Sequence, residues 1–186
     1  MCSSDLLLIA ALEDSPKPVI AAVEGAAAGA GFSLALACDF MVAAENAVFV
    51  MAHSTVGLSP DGKTLYAAET YTCRLMKFNI TAPGKVAADA GPGGPGIPVY
   101  RPAGYKFFDS LGVEASGNIC VATIGECGIS VISSDGELVE FVATDDIFTT
   151  NIAWGGDDMM DAYICLSGSG RLVKTRWARP GLKLQY

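Results

Sequence analysis

The sequence holds a single histidine, His53, and no two cysteines in a C-x-x-C spacing. A zinc site built from imidazole and thiolate ligands is therefore not expected. The six cysteines lie scattered, a usage that suits reduced, buried thiols in a cytoplasmic protein better than a disulfide framework. Basic residues are scarce: twelve stand against twenty acids, for a net charge of −8. That balance argues against nucleic acid or an anionic membrane surface as partner. Long apolar runs are missing too. The longest uncharged one, Gly25 to Cys38, has fourteen residues, where a bilayer span needs about 20. Leu6 to Leu12 is apolar, but Asp5 precedes it and no basic residue does, so it reads as neither signal nor anchor.

What is present is apolar enough for a sizeable core, at 51% hydrophobic residues. The charge is uneven. Residues 1–56 carry six acids and one base, Lys17; residues 57–186 carry fourteen acids and eleven bases. The texture changes at Gly57-Leu58-Ser59-Pro60-Asp61-Gly62. The spacing upstream predicts the end of a helix over Leu6–Leu12, broken by Ser15-Pro16-Lys17-Pro18. Short apolar strands are predicted at Val19–Val23, Cys38–Ala43 and Val48–Val50, with a small-residue helix over Ala26–Ala37 between the first two. Strand, Gly-rich turn, helix, strand is an α/β unit. Its glycines, Gly29 and Gly31, allow either close helix–strand packing or backbone N–H groups aimed at an anionic oxygen.

Lys17-Pro18-Val19-Ile20-Ala21-Ala22-Val23-Glu24-Gly25-Ala26-Ala27-Ala28-Gly29-Ala30-Gly31, then Leu34–Asp39 and Ala43–Phe49, resembles the enoyl-CoA hydratase/isomerase (crotonase) family over about residues 6–62. The resemblance implies an acyl-CoA ligand and an oxyanion hole, half of which is the backbone N–H at Ala30. It places the other half upstream of Met1. The two catalytic glutamates of the hydratases fall on Ser33 and His53, neither of which replaces a carboxylate. An isomerase-like branch uses an acid in the segment matching Gly57–Gly62, which makes Asp61 the surviving candidate. Losing one oxyanion donor costs about 10²–10³ in rate, so no crotonase activity is expected.

Downstream, the pattern is short strands separated by turns such as Ser59-Pro60-Asp61-Gly62, Ala115-Ser116-Gly117-Asn118 and Ser134-Asp135-Gly136. Leu65, Ile119 and Tyr163 hold equivalent places, 54 and 44 residues apart. Such a period with several strands per unit predicts a β-propeller of about three blades. Ala90–Pro102 reads as a Gly/Pro-rich loop. Its Gly91-x-Gly93-x-x-Gly96 is a formal dinucleotide fingerprint, but Pro92, Pro95 and Pro98 preclude the helix that would hold a pyrophosphate.

Leu58–Tyr66, Phe108-Asp109-Ser110-Leu111, Gly128–Ile132, Thr149-Thr150-Asn151-Ile152 and Arg179-Pro180-Gly181-Leu182 resemble the gluconolactonase/regucalcin family of six-bladed propellers. The likeness covers about residues 57–186 and corresponds to the C-terminal half of such a protein. It implies lactone or ester hydrolysis at one axial divalent cation, Ca²⁺ or else Zn²⁺ or Mg²⁺, held by a glutamate, two asparagines and an aspartate. The aspartate matches Asp109, as ligand and general base. Ser54-Thr55 stands where the last asparagine belongs, and the other two ligands fall before the seam. Asn151, at a blade start, is a second candidate ligand. Calcium takes about six to eight oxygens, so the cation is not expected to be retained. Asp145-Asp146 and Asp157-Asp158 read as solvated turn acids.

The expected architecture is thus mixed: an α/β crotonase-like piece over 1–56, then an all-β half propeller over 57–186. Three functions are compatible with it: an inactive piece of a metal-dependent lactonase, a piece of an acyl-CoA enzyme, or a fusion with neither activity. The small-molecule partner is accordingly a lactone or an acyl-CoA. Open sheet edges predict self-association.

Overall fold

The computed structural model describes residues 10–28, 30–50, 56–82, 85–87, 90–91 and 94–183. The chain divides into two compact units, Met1–His53 and Ser54–Tyr186. No helix among the described residues is long and apolar enough to cross a membrane.

In the first unit residues 10–13 are helical, and the chain breaks at Ser15. The rest of the predicted first helix, and His53, lie outside the described residues. Next come β1 (Ile20–Val23), β2 (Ala26–Ala28), α1 (Ala30–Leu36), β3 (Phe40–Ala43) and β4 (Val48–Val50). β1 pairs in parallel with β3, Ile20 opposite Phe40, and β2 in parallel with β4, Ala26 opposite Val48. Parallel pairs need a crossover, which the β2–α1 segment supplies for β1 and β3. Asp39 fixes the start of that pair: its carboxylate accepts the Val19 N–H at 2.8 Å, while its own N–H donates to the Val19 carbonyl at 3.0 Å.

Ala26–Ala28 was expected to be helix and is strand. Alanine is the best helix former, but its preference is a weak prior, and the ladder to β4 satisfies the same backbone groups. Among the described residues of this unit only Ala27 and Ala35 are buried hydrophobics, whereas Ile20, Phe40 and Val42 are each more than 60% exposed.

The second unit is built from three antiparallel sheets, one after another along the chain. The first is β5 (Val56–Leu58), β6 (Thr64–Glu69), β7 (Arg74–Ala82) and β11 (Ile97–Tyr100), with β8 (Lys85–Val86) also on β7. A small pair, β9 (Ala90–Gly91) and β10 (Gly94–Pro95), sits in the connection to β11. The second sheet is β12 (Phe107–Val113), β13 (Ile119–Ile124), β14 (Gly128–Ile132) and β15 (Leu138–Ala143). The third is β16 (Thr149–Gly155), β17 (Asp161–Leu166) and β18 (Arg171–Arg176).

Leu65, Ile119 and Tyr163 fall on β6, β13 and β17, the second strand of each sheet in order. The middle sheet is apolar on both faces. Ile119 and Val121 of β13 join Tyr66, Ala68 and Leu75 of the first sheet in one core; Cys120 and Ala122 join Ile152, Ala162 and Ile164 of the third in another. Alternate side chains of one strand thus fill two cores, because successive residues point to opposite faces.

The seam is a propeller hairpin. Gly62, at φ +69°, completes the turn between β5 and β6, and its N–H donates to the Ser59 carbonyl at 2.9 Å. The Gly/Pro-rich stretch is not all loop. Ile97–Tyr100 forms the outer strand of the first sheet, with Pro98 opposite Met76. Proline is tolerated there because an edge strand leaves one side unpaired. Gly96, at φ +99°, leads into this strand rather than into a helix, so the glycines do not open a dinucleotide site.

Candidate functional site

β5, β12 and β16 are the first strands of their sheets, and together they line a groove of about 500 Å³. Gly57 and Leu58, Leu111 to Val113, and Asn151 to Trp154 supply its walls, joined by Met159, Leu182 and Lys183. The groove is mostly apolar in its lining residues, with Asn151 and Lys183 as its polar side chains.

Both strands that carry the predicted ligands are irregular at the ligand position. In β12, Phe108 pairs with Thr123 and Leu111 with Val121, so Asp109 and Ser110 together oppose one residue. In β16, Thr149 pairs with Leu166 and Asn151 with Cys165, which makes Thr150 the extra residue. Such bulges re-aim side chains and cluster beside functional sites. Asp109 is half-buried at its bulge; Asn151 is exposed and reaches the groove. Asp109 thus lies within its bulge, whereas Asn151 follows its own and matches Leu111, the one pairing with Cys165 and the other with Val121. Ser54 and Thr55 lie outside the described residues.

Several other acids are committed elsewhere. Glu114, just after β12, is fully buried. Its carboxylate accepts hydrogen bonds from Trp177 Nε1 at 2.7 Å, Arg179 Nε at 2.7 Å, Asn118 Nδ2 at 2.8 Å and Ser116 Oγ at 3.1 Å. Burial alone would raise its pKa, but these donors, Arg179 first, outweigh it and hold the carboxyl below its ordinary value.

Asp146 is buried rather than solvated, against expectation. It accepts the N–H groups of Phe148 (2.8 Å), Gly168 (3.1 Å) and Ser169 (2.7 Å) and the Ser169 hydroxyl (2.6 Å). It thereby ties the β15–β16 connection to the β17–β18 turn, and these bonds hold its carboxyl low. Asp145 pairs with Arg171, and Asp158 and Asp161 with Arg176.

Asp61, the crotonase-type candidate, sits in the β5–β6 turn. The Ser59 hydroxyl donates to it at 2.7 Å and the Lys63 N–H at 3.0 Å, and both hold its carboxyl below the usual carboxylate range. Ala30, the oxyanion candidate, is the first residue of α1, a helix of seven residues.

The donor set decides the fit to a calcium-type cation. Asp109 and Asn151 together offer about three or four oxygens at most, counting both carboxylate oxygens and a backbone carbonyl, against the six to eight such a cation takes. Glu114 and Asp146 cannot join them, since their oxygens are already held by cations and N–H groups. Among the described residues no cluster of three or more histidine, cysteine, aspartate or glutamate side chains is arranged for a metal. The described residues of one chain do not fit the cage that the resemblance implies.

Glu114, Trp177 and Arg179 were not singled out in the sequence as partners. Arg179-Pro180-Gly181-Leu182 was visible as a motif, but nothing local pairs it with a glutamate 65 residues earlier.

A sequence model of the enoyl-CoA hydratase/isomerase family matches residues 2–73. The 1,2-epoxyphenylacetyl-CoA isomerase of Escherichia coli is 57% identical over 54 residues, which is 29% of this chain and 21% of that protein. A carnitinyl-CoA dehydratase of Salmonella paratyphi B is 58% identical over 48 residues, 26% of this chain and 18% of that one. The chain thus spans about a fifth of the length of these relatives.

Solved structures match the other part. A luciferin-regenerating enzyme superposes with TM-score 0.54 at 18% identity, covering 73% of this chain and 50% of its own. Regucalcin from Agrobacterium tumefaciens, described as a calcium-binding protein, gives 0.52 at 20%, covering 70% and 49%. The gluconolactonase of Xanthomonas campestris gives 0.51 at 20%, covering 64% and 36%. The chain therefore joins crotonase-like sequence at its N-terminal end to the fold of a partial β-propeller. The family match runs on to residue 73, through β5 and β6, which the structure builds into the first propeller sheet.

Proposed function

We propose that the chain is a fusion of acyl-CoA-enzyme sequence with half of a lactonase-type propeller, and that a single chain hydrolyses no lactone by a metal-assisted route. The observation that carries this reading is the donor set. Asp109 and Asn151 together supply too few oxygens, while Glu114 and Asp146 are held in hydrogen-bond networks that leave no oxygen for a cation. In this reading Asp109 is the base that would activate water. Without a cation to polarise the carbonyl and lower the pKa of water, several kcal/mol of transition-state stabilisation are missing.

The test is hydrolysis of sugar and aliphatic δ-lactones, followed by proton release, with Ca²⁺, Mg²⁺ or Zn²⁺ added to the purified chain. The expected rate equals that of buffer and is the same for Asp109→Ala. Cation-dependent turnover that Asp109→Ala abolishes would overturn the reading.

The identity of residues within the N-terminal stretch to acyl-CoA enzymes favours a second reading, binding of an acyl-CoA thioester with its oxygen at the Ala30 N–H. One oxyanion donor without a carboxylate at Ser33 gives binding but no hydration of crotonyl-CoA. Loss of the 263-nm enoyl-thioester absorbance on adding the protein would contradict this.

A further inference from the structure

We propose that the groove of the second unit binds a small carboxylate with an apolar tail, of the size of a medium-chain fatty acid. The inference asks for binding alone. It stands apart from the lactone reading, which turns on a cation, and from the acyl-CoA reading, which concerns the first unit.

The sign of the ligand's charge follows from what lines the groove. No acid does, although acids outnumber bases in the chain by twenty to twelve. The one charged side chain in the lining is Lys183. The cations that precede it from β18 onward are taken: Arg171 by Asp145, Lys174 by Asp161, Arg176 by Asp158 and Arg179 by Glu114. Lys183 has no carboxylate among the described residues, and the Asn151 side chain has no hydrogen-bond partner among them. Both side chains are exposed and so open to a ligand. An ammonium and a carboxamide N–H are both donors, and a carboxylate accepts from either, more strongly from the charged one.

The ligand's body follows from the rest of the lining. Leu111, Val113 and Ile152 are buried, Trp154 and Leu182 are half-buried, and Leu58 is 45% exposed. The Trp154 indole nitrogen is itself shut off from solvent, so the ring offers the groove carbon. Sites for small molecules are about 300–1,000 Å³, mostly apolar, with a few polar groups that fix orientation. A groove of about 500 Å³ with one ammonium and one carboxamide has that make-up. Its lining is twelve residues, where a protein partner takes about 20–30 on each side.

The experiment is titration of the full chain with hexanoate, octanoate and decanoate, each kept below its micelle concentration. Tryptophan emission and calorimetry read the binding. The expected result is saturation at one carboxylate per chain, with the emission shifting as the ligand displaces water from Trp154. Affinity should rise about two- to fourfold for each added methylene. Lys183→Gln should weaken octanoate about two- to fivefold, the reach of an exposed charge pair, and leave neutral 1-octanol unchanged. Lys183→Arg should keep octanoate binding. Ala153 is an exposed residue of the lining, so Ala153→Glu should weaken octanoate and strengthen octyltrimethylammonium. Absence of saturable octanoate binding overturns the proposal. Equal effects of Lys183→Gln on octanoate and octanol, whether losses or none, overturn the charge contact and the proposal with it. Octanoate binding untouched by Ala153→Glu places the ligand outside the groove and overturns it too. Binding that vanishes as the chain is concentrated means a second copy covers the groove, and is equally fatal. Circular dichroism checks that each variant is folded; if one is not, the other and the chain-length series still decide. None of these outcomes bears on the lactone assay.

Discussion

Arg179 Nε donates to Glu114 Oε2 at 2.7 Å across 65 residues of chain, with the carboxylate fully buried. Around this pair the C-terminal segment is stitched to the middle sheet. The Ala115 N–H donates to the Pro180 carbonyl at 2.9 Å, and the Leu182 N–H to the Val113 carbonyl at 2.8 Å. The second guanidinium nitrogen, Nη2, reaches Glu140 at 2.8 Å. The end of the chain thus crosses from the third sheet to the first strand of the second, where Leu182 completes the groove and packs on the first core.

Removing one partner of this pair strands the other. Glu114→Ala leaves the Trp177 and Arg179 N–H groups without their acceptor, and Arg179→Ala leaves a buried carboxylate without its cation. Breaking a buried pair in this way costs about 3–5 kcal/mol. Each variant should therefore lower the urea midpoint sharply, and the double variant should lose less than the sum. Additive losses would show that the two residues act independently.

Stability should fall as the pH drops into the acid range. Glu114, Asp146, Asp158 and Asp161 all have folded pKa values below their ordinary ones. The unfolded chain then binds more protons, so stability rises with pH through this window. It is fully present above the unfolded carboxylate values of about 4 and is lost as pH falls through the lower folded values. The melting temperature should be flat from pH 7 to about 5 and drop below about 4. Glu114→Gln should flatten part of that drop. A melting temperature that rises on acidification contradicts the assignment.

Trp154 is held between two glycines. A methyl group on Gly112 would sit 2.5 Å from its Cζ3 and 3.1 Å from the Ile152 carbonyl, and one on Gly181 would overlap the indole at Cγ. Gly112→Ala and Gly181→Ala should each cost about 1–3 kcal/mol by overpacking and shift the tryptophan emission. Trp154 Nε1 is buried and, among the described residues, lacks a hydrogen-bond partner. Trp154→Phe removes an unpaired donor while keeping an aromatic ring, so its loss should be smaller than that of either alanine variant.

The thiols should separate by reactivity. Cys120 is fully buried beside Glu114, and burial and that negative charge push its pKa strongly up. The thiolate is the reactive form. Cys120 should resist iodoacetamide in the folded chain, whereas the half-buried Cys38, Cys127 and Cys165 react. Peptide mass spectrometry after a timed pulse reads this, and early labelling of Cys120 would mean that the second core opens readily.

The reach of the sequence followed the range of the interactions. The change of texture at Gly57, the turn at Gly62 and the strands bearing Leu65, Ile119 and Tyr163 depend on alternation and turn chemistry within a few residues, and were readable. Ala26–Ala28 was not, because pairing with Val48–Val50 overrides the helical preference of alanine. The outer strand at Ile97–Tyr100 was hidden by its prolines, which are tolerable only because the strand lies at an edge. Asp146 looked like a solvated turn acid until the fold brought Gly168 and Ser169 to it.

By itself the sequence determined two textures, a repeat of short strands, and the candidates Asp109, Asn151, Ala30 and Asp61, all properties of residues and their near neighbours. Only the tertiary structure decided that Glu114 belongs to Arg179 and Trp177, that Asp109 lies in a bulge of β12 while Asn151 follows one in β16, and that Asp146 is buried against Gly168 and Ser169. Those facts depend on which segments distant in sequence meet in space, and that is set by the packing of whole sheets rather than by any local pattern.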